Sequence, residues 1–305
     1  MTLTPEEAID AANEVFGSHP GYRALHAKGT LCIGTFTATP AGKRLTRAAH
    51  MQGEPVKVTV RVSNGGGNPQ VPDYAPDVRG LAVKCYLPDG SRTDIVAQSA
   101  PRFPARTPEA FVELMRASHP SPSMPLKFAR FLARNPVAIR GLPANTAALL
   151  PPTSYGAIRY YAVHAYRWID LDGASRYVRY TFVPHESTRP LSPVQARRRG
   201  RDYLQHEIRD RLAQGPVRFK LELQLAESGD RVEDPTAVWP KQRQVVIAGT
   251  LELTGLDTER ETGTDVLVFD PVRVTDGIEL SDDPILRFRE RAYAASVARR
   301  TALAP

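Results

Sequence analysis

Alternation of apolar and polar residues at period two runs through most of this chain, and no other feature restricts its fold as tightly. In order, GTLCIGTFTA (29–38), VKVTVRVS (56–63), GLAVKCYL (80–87), a short piece near TDIVAQ, AIRYYAVHAYRWI (157–169), RYVRYTFVP (176–184), VRFKLELQLA and VVIAGTLELT (245–254) alternate as strands do. Eight such runs, over about 29–97 and 157–254, predict a closed or nearly closed eight-stranded antiparallel β-barrel. Helical patterning interrupts the strands over about 107–150 and 191–213, the latter opening with Ser192 as cap and Pro193 as first residue. The fold class is therefore α+β, a barrel with peripheral helices. Proline clusters at 101–104, 120–125 and 151–152 read as loops rather than linkers, so the expectation is one domain over residues 1–305.

One strand carries more than fold information. In VKVTVRVS, Val56, Val58, Val60 and Val62 fall on one face, leaving Lys57, Thr59, Arg61 and Ser63 on the other. Two readings stay open: that second face meets solvent, or it meets the polar edge of a cofactor. The glycines of the following SNGGGNP lack the spacing and lysine of a phosphate loop and read as a tight turn.

The end of the chain poses a similar choice. Asp282 and Asp283 before Pro284 start a helix over 284–300. Arg289 and Tyr293 share a face at i, i+4, and Arg300 returns to within about 20° of the same stripe, about 10.5 Å beyond Tyr293. A guanidinium beside a phenol favours the phenolate, a hard anionic ligand suited to ferric iron, and Arg300 would then reach a carboxylate at the edge of a large cofactor. The alternative is a solvated basic helix with one tyrosine packed inward.

Composition narrows the classes. The net charge of +7 raises nucleic acid as a partner, with ARRRGRDY (196–203) the best local candidate. Acidic neighbours in YLQHEIRDRLAQG and the lack of an aromatic stacking platform favour a solvated helix face instead, so no nucleic-acid partner is expected. The start, MTLTPEEAIDAANEVFG, patterns as an acidic amphipathic helix and no apolar stretch approaches membrane-spanning length; the expectation is a cytoplasmic protein without membrane insertion. Cys32 and Cys85 each lie in an apolar strand and read as buried thiols. His50, His119, His185 and His206 show no metal-ligand spacing, and His164 receives no role beyond the barrel wall.

Taken in order, ALHAKGTLCIGTFTAT, VRVSNGGGNPQVPDYAPDVRGLAVKCY, DIVAQSAPRF, WPKQRQVVIAGTLELT, FDPVRVTDGIELSDDP and the terminal RERAY resemble the motifs of haem catalases, over most of residues 20–300. The likeness is nearest to the small catalase-related peroxidases, which keep the haem barrel without the long arm and extra domain of large catalases. The resemblance implies haem b with Tyr293 as iron ligand and Arg289 as its charge partner. It assigns His26 as the distal histidine that takes the peroxide proton, and Ser63 as the serine bonded to that imidazole. Arg23, Arg61 and Arg300 match arginines that hold the haem propionates, and Phe103 and Phe111 match aromatic positions near the haem; Asp77 and Arg79 read as structural. Where the large enzymes carry a distal asparagine, this chain has Gln98, or Ser99 if the loop is shifted by one. A displaced amide should weaken disproportionation of hydrogen peroxide. The implied activity is therefore a peroxidase reducing organic hydroperoxides, and hydrogen peroxide, with a small organic electron donor and weak catalase turnover. Its rivals are a fatty-acid hydroperoxide isomerase or lyase, and a non-catalytic haem carrier or sensor. No nicotinamide position is matched, and a homodimer is the expected assembly.

Overall fold

A computed structural model describes residues 3–258 and 267–302; residues 1–2, 259–266 and 303–305 lie outside that description. Its strands are β1 (Gly29–Ala38), β2 (Val56–Asn64), β3 (Arg79–Tyr86), β4 (Arg92–Gln98), β5 (Tyr160–Ile169), β6 (Ser175–Pro184), β7 (Val217–Leu225), β8 (Val245–Leu256) and β9 (Ile278–Leu280). The helices are α1 (Pro5–Phe16), α2 (Pro40–Lys43), α3 (Pro108–Ser118), α4 (Met124–Arg134), α5 (Pro136–Ala147), α6 (Pro193–Arg198), α7 (Tyr203–Gln214) and α8 (Pro284–Ala302).

Strands pair antiparallel in the order β4-β3-β2-β1-β8-β7-β6-β5, and a β4–β5 pairing at Gln98↔Tyr161 closes the ring into the expected eight-stranded barrel. Strand β9, too short to register as a periodic run, joins the far half of the same β5 edge at Tyr166↔Leu280. The interior is apolar: Val58, Val60 and Val62 pack with Val83, Phe182, Leu221 and Leu251. That packing settles the two-faced strand. Thr59, Arg61 and Ser63, on the other side of β2, are no more than 4% exposed, so their face is covered by protein rather than washed by solvent.

The cover consists of α1, α3, α4, α5, α8 and the segment from 267 to 273. Thr4 begins α1 with a reciprocal capping box to Glu7, and Thr107 caps α3 by accepting from Ala110 N–H. Ala11 and Ala12 of α1 pack with Val112 and Met115 of α3, small residues letting the helices approach closely. The 267–273 segment is fixed to the barrel by charge. Asp94 accepts from Lys84 Nζ at 2.6 and 2.8 Å, from the Asp270 N–H at 2.8 Å and from Arg273 Nη1 at 2.7 Å. A carboxylate with this many donors satisfies most of its lone pairs, which a buried charge requires.

Candidate active site

Between the barrel face and its helical cover lies a cavity of about 990 Å³. Its floor is built from cross-strand neighbours. Ser63, Gly80, Gln98 and Tyr161 stand opposite one another across β2, β3, β4 and β5, and all four line it. The adjacent row, Arg61, Ala82 and Val96, lines it too. Every site residue expected from the sequence borders this one space: Arg23, His26, Arg61, Ser63, Gln98, Phe103, Phe111, Arg289, Tyr293 and Arg300.

His26 sits in the loop between α1 and β1 with φ of 56°, the one non-glycine among the described residues in left-handed conformation. Such a conformation costs of order 1–3 kcal/mol and persists only where the surroundings hold it. They do so here through several bonds. His26 N–H donates to Gly65 O at 2.9 Å and Ala27 N–H to Gly66 O at 3.0 Å. Arg61 donates through Nη1 to His26 O at 2.7 Å and through Nη2 to Ala27 O at 3.1 Å. The glycines of SNGGGNP thus do more than turn the chain. A Cβ on Gly67 would lie 2.1 Å from Ala24 O, and one on Gly80 would lie 2.7 Å from both His26 Nδ1 and Ser63 Oγ. Asp77 fixes the same turn by accepting from Gly66 N–H at 3.0 Å.

The ring of His26 meets Ser63 Oγ through Nδ1 at 3.0 Å. Burial, then the positive charges of Arg61, Arg289 and Arg23, pull its pKa down to about 3. The imidazole is therefore neutral across the physiological range, although it stays partly accessible where it lines the cavity.

Gln98 and Ser99 part company at the end of β4. Ser99 turns to the backbone of Arg79, donating its N–H to Arg79 O at 2.8 Å and accepting Arg79 N–H on Oγ at 2.9 Å. Gln98 lines the cavity, its Nε2 donating to Ala100 O at 3.3 Å. Phe103 and Phe111 pack as a pair with ring centroids 5.0 Å apart.

On α8, Tyr293 Oη accepts from Arg289 Nε at 2.9 Å and also from Arg289 Nη2. The helical repeat accounts for that pair alone; two further residues extend the chain of contacts. Arg289 Nη1 meets His164 Nε2 at 3.1 Å, and His164 Nδ1 meets Asp283 Oδ2 at 2.6 Å. A guanidinium only donates, so His164 Nε2 must be the accepting nitrogen and the ring proton sits on Nδ1, facing the carboxylate. Asp283 does cap α8, its Oδ1 accepting from Ile285 and Leu286 N–H at 2.8 and 3.2 Å, and its second oxygen is what remains for His164. Burial lowers the His164 pKa even against the pull of Asp283. Burial likewise opposes the charge on Arg289, but its bonds to Tyr293 outweigh that and raise its pKa.

His164 reaches this position through a bulge. From Ala162 to Tyr166 strand β5 takes four steps while β6 takes two, from Tyr180 to Val178. The extra residues re-aim His164, a displacement that alternation along the sequence cannot show.

At the cavity's other polar edge, Arg23 Nη2 donates to Leu267 O at 2.9 Å. Arg300 lines the cavity with no carboxylate partner among the described residues, and burial lowers its pKa. Arg61, expected beside a propionate, has both Nη atoms on the His26 loop.

A closed barrel whose apolar cavity holds a neutral imidazole and an arginine-paired phenol is the frame of a haem oxidoreductase. The comparisons name the family. The catalase profile matches residues 18–304. A catalase-related peroxidase of Mycolicibacterium paratuberculosis is 49% identical over 98% of this chain and 95% of its own length. One of Synechococcus elongatus is 33% identical over 98% of this chain and 89% of its own. Among solved structures, a fungal catalase superposes with a TM-score of 0.79 at 25% identity, covering 98% of this chain, which in turn spans 62% of the fungal one. The chain belongs to the catalase family, and within it is an oxidoreductase of the haem peroxidase type. None of its described helices is long and apolar enough to cross a membrane.

Proposed function

We propose that this protein is a cytoplasmic haem b peroxidase that reduces organic hydroperoxides with a small organic donor and has weak catalase turnover, on one domain spanning 1–305. The observation that carries the reading is the convergence of His26–Ser63 and Arg289–Tyr293, from opposite ends of the sequence, on one largely apolar cavity. The residues suit haem: the Tyr293 phenol oxygen, already held by a guanidinium, would bind the iron, and the cavity-lining Arg300 and Arg23 would meet its carboxylates.

When bound, haem supplies the two-electron redox chemistry that peroxide reduction needs. The chain's own groups manage the protons. Neutral His26 can take the proton from one peroxide oxygen and return it to the other, so that the O–O bond breaks with a neutral alcohol, or water from hydrogen peroxide, as the leaving species in place of alkoxide or hydroxide. Ser63 orients the ring, and Arg61 and the glycine turn hold its backbone. Overall, ROOH gains two electrons and two protons to give ROH and water, while a donor AH2 becomes A. Phe103, Phe111, Leu114, Phe128, Phe131 and Leu132 give one wall of the cavity an apolar surface that hydrogen peroxide does not need and an organic hydroperoxide does.

The test compares cumene hydroperoxide and hydrogen peroxide with the haem-loaded protein, following alcohol product, donor oxidation and oxygen. Alcohol formed in proportion to oxidised donor supports the reading. Rearranged product with no donor consumed would assign an isomerase or lyase instead.

A further inference from the structure

The helices that wall the cavity have an outer face the peroxidase chemistry does not use. Residues 114–169 contain no aspartate or glutamate, yet they hold Arg116, Lys127, Arg130, Arg134, Arg140, Arg159 and Arg167. Most of the helical part of this run is the consecutive pair α4 and α5, joined at Asn135. Its inner side, with Phe128, Phe131 and Leu132, faces the cavity. Its outer side exposes Leu126 at 57% and Ile139 at 49%, followed by Leu150 at 47%, among exposed Lys127, Arg130 and Arg140. Arg134 pairs with Glu113 at 3.0 Å, but Lys127, Arg130 and Arg140 have no carboxylate partner among the described residues. The cavity also reaches the surface here, since Ser118, His119 and Pro120 before α4 and Thr146 near the end of α5 are both exposed and cavity-lining.

Exposed leucine and isoleucine ringed by unpaired cations, with no acid to repel an anionic surface, is the chemistry of a segment that lies in the headgroup region of a bilayer. We propose that the outer side of α4 and α5 docks on bilayers containing anionic lipid, and that the adjoining mouth admits acyl-chain hydroperoxides from them. The docking stands on charge and exposure; the choice of substrate rests on the peroxidase reading above. Nucleic acid fits less well, because exposed aliphatic side chains gain nothing against a phosphate backbone and no aromatic platform accompanies the cations.

The test uses the haem-loaded full chain and sucrose-loaded vesicles of phosphatidylcholine with and without phosphatidylglycerol, at low and high salt. Expected is pelleting with the anionic vesicles alone, reversed by salt, and weakened on the order of 100-fold in K127Q/R130Q/R140Q with circular dichroism and haem absorbance unchanged. K127Q and R130Q alone, each expected to weaken binding roughly fivefold, carry the test if the triple variant misfolds. No pelleting by wild type, undiminished pelleting by the charge variants, or equal affinity for a short DNA duplex would overturn the docking surface. For delivery, the triple variant should turn over lipid hydroperoxide in anionic vesicles more slowly while matching wild type on soluble tert-butyl hydroperoxide. Equal rates on the vesicle substrate would overturn delivery. Failure of wild type on both substrates counts against the peroxidase reading, with vesicle binding still deciding the surface.

Discussion

Replacing His26 with alanine separates proton handling from haem retention. The residue lies in the α1–β1 loop and its ring bonds Ser63, whereas Arg289 and Tyr293 bond each other on α8, so His26→Ala should keep the haem content of wild type. General acid–base catalysis contributes about 10²–10⁴-fold, so peroxide consumption under single-turnover conditions should slow by that factor, equivalent to about 3–5.5 kcal/mol of barrier. The pH profile sharpens the expectation. With its pKa at about 3, His26 is only about 1% protonated at pH 5, and the wild-type rate should be flat from pH 5 to 8 as far as this group is concerned. An imidazole at the ordinary value of about 6.5 would instead cost about 30-fold in neutral base over that span. Stopped-flow rates with peroxide across this range, in wild type and variant, are the assay. A variant as fast as wild type would remove His26 from the mechanism. An acid limb near pH 6.5 that disappears in His26→Ala would show that burial and the three arginines do not set its charge.

Four other substitutions test other parts of the structure. Tyr293→Phe should lose most haem, read from the ratio of Soret to protein absorbance, while Arg289→Ala should retain haem with an altered spectrum; full loading and an unchanged spectrum in Tyr293→Phe would refute the ligand. His50, buried with Nδ1 unpartnered, has its pKa lowered to about 4, so the unfolded chain binds more protons as pH falls below about 6.5 and stability drops toward acid; His50→Leu should remove about 2 kcal/mol of the loss between pH 7.5 and 5, measured by urea unfolding. Gln98→Asn, which brings the amide back by one methylene, should raise oxygen evolution from hydrogen peroxide relative to hydroperoxide turnover, and an unchanged ratio would assign the difference to the cavity wall.

What could be read from the sequence was what depends on near neighbours. Arg289 and Tyr293 are four residues apart on a helix, so their contact follows from the helical repeat. Arg61 and Ser63 share a face by strand parity, and the valines opposite them fix which face is core. The Asp283 cap was legible for the same reason, because it bonds N–H groups two and three residues on. Its second oxygen was not, since its partner His164 is 119 residues away and is aimed by a bulge. Likewise the charge on Arg61 was visible, but its grip on the His26 and Ala27 carbonyls depends on how a loop 35 residues earlier crosses β2.

The choice between Gln98 and Ser99 shows how register decides chemistry. Composition around DIVAQSAP allows either residue to face the cavity. Pairing decides it: Gly80 stands opposite both Ser63 and Gln98, and the missing side chain at Gly80 leaves the space in which His26 and Ser63 meet. A slip of one residue between β3 and β4 would swing Gln98 away and bring Ser99 inward, while breaking the Ser99–Arg79 bonds that end the ladder. Arg79 opposes such a slip from beneath. Its guanidinium is almost wholly buried and donates to Asp77 O at 2.8 Å and Asp73 O at 2.9 Å, so a shift of β3 would strand those donors without acceptors. Asp77 and Arg79 are in this sense positioning residues, and the barrel's hydrogen-bond ladder, not any local motif, selects the amide that faces the cavity.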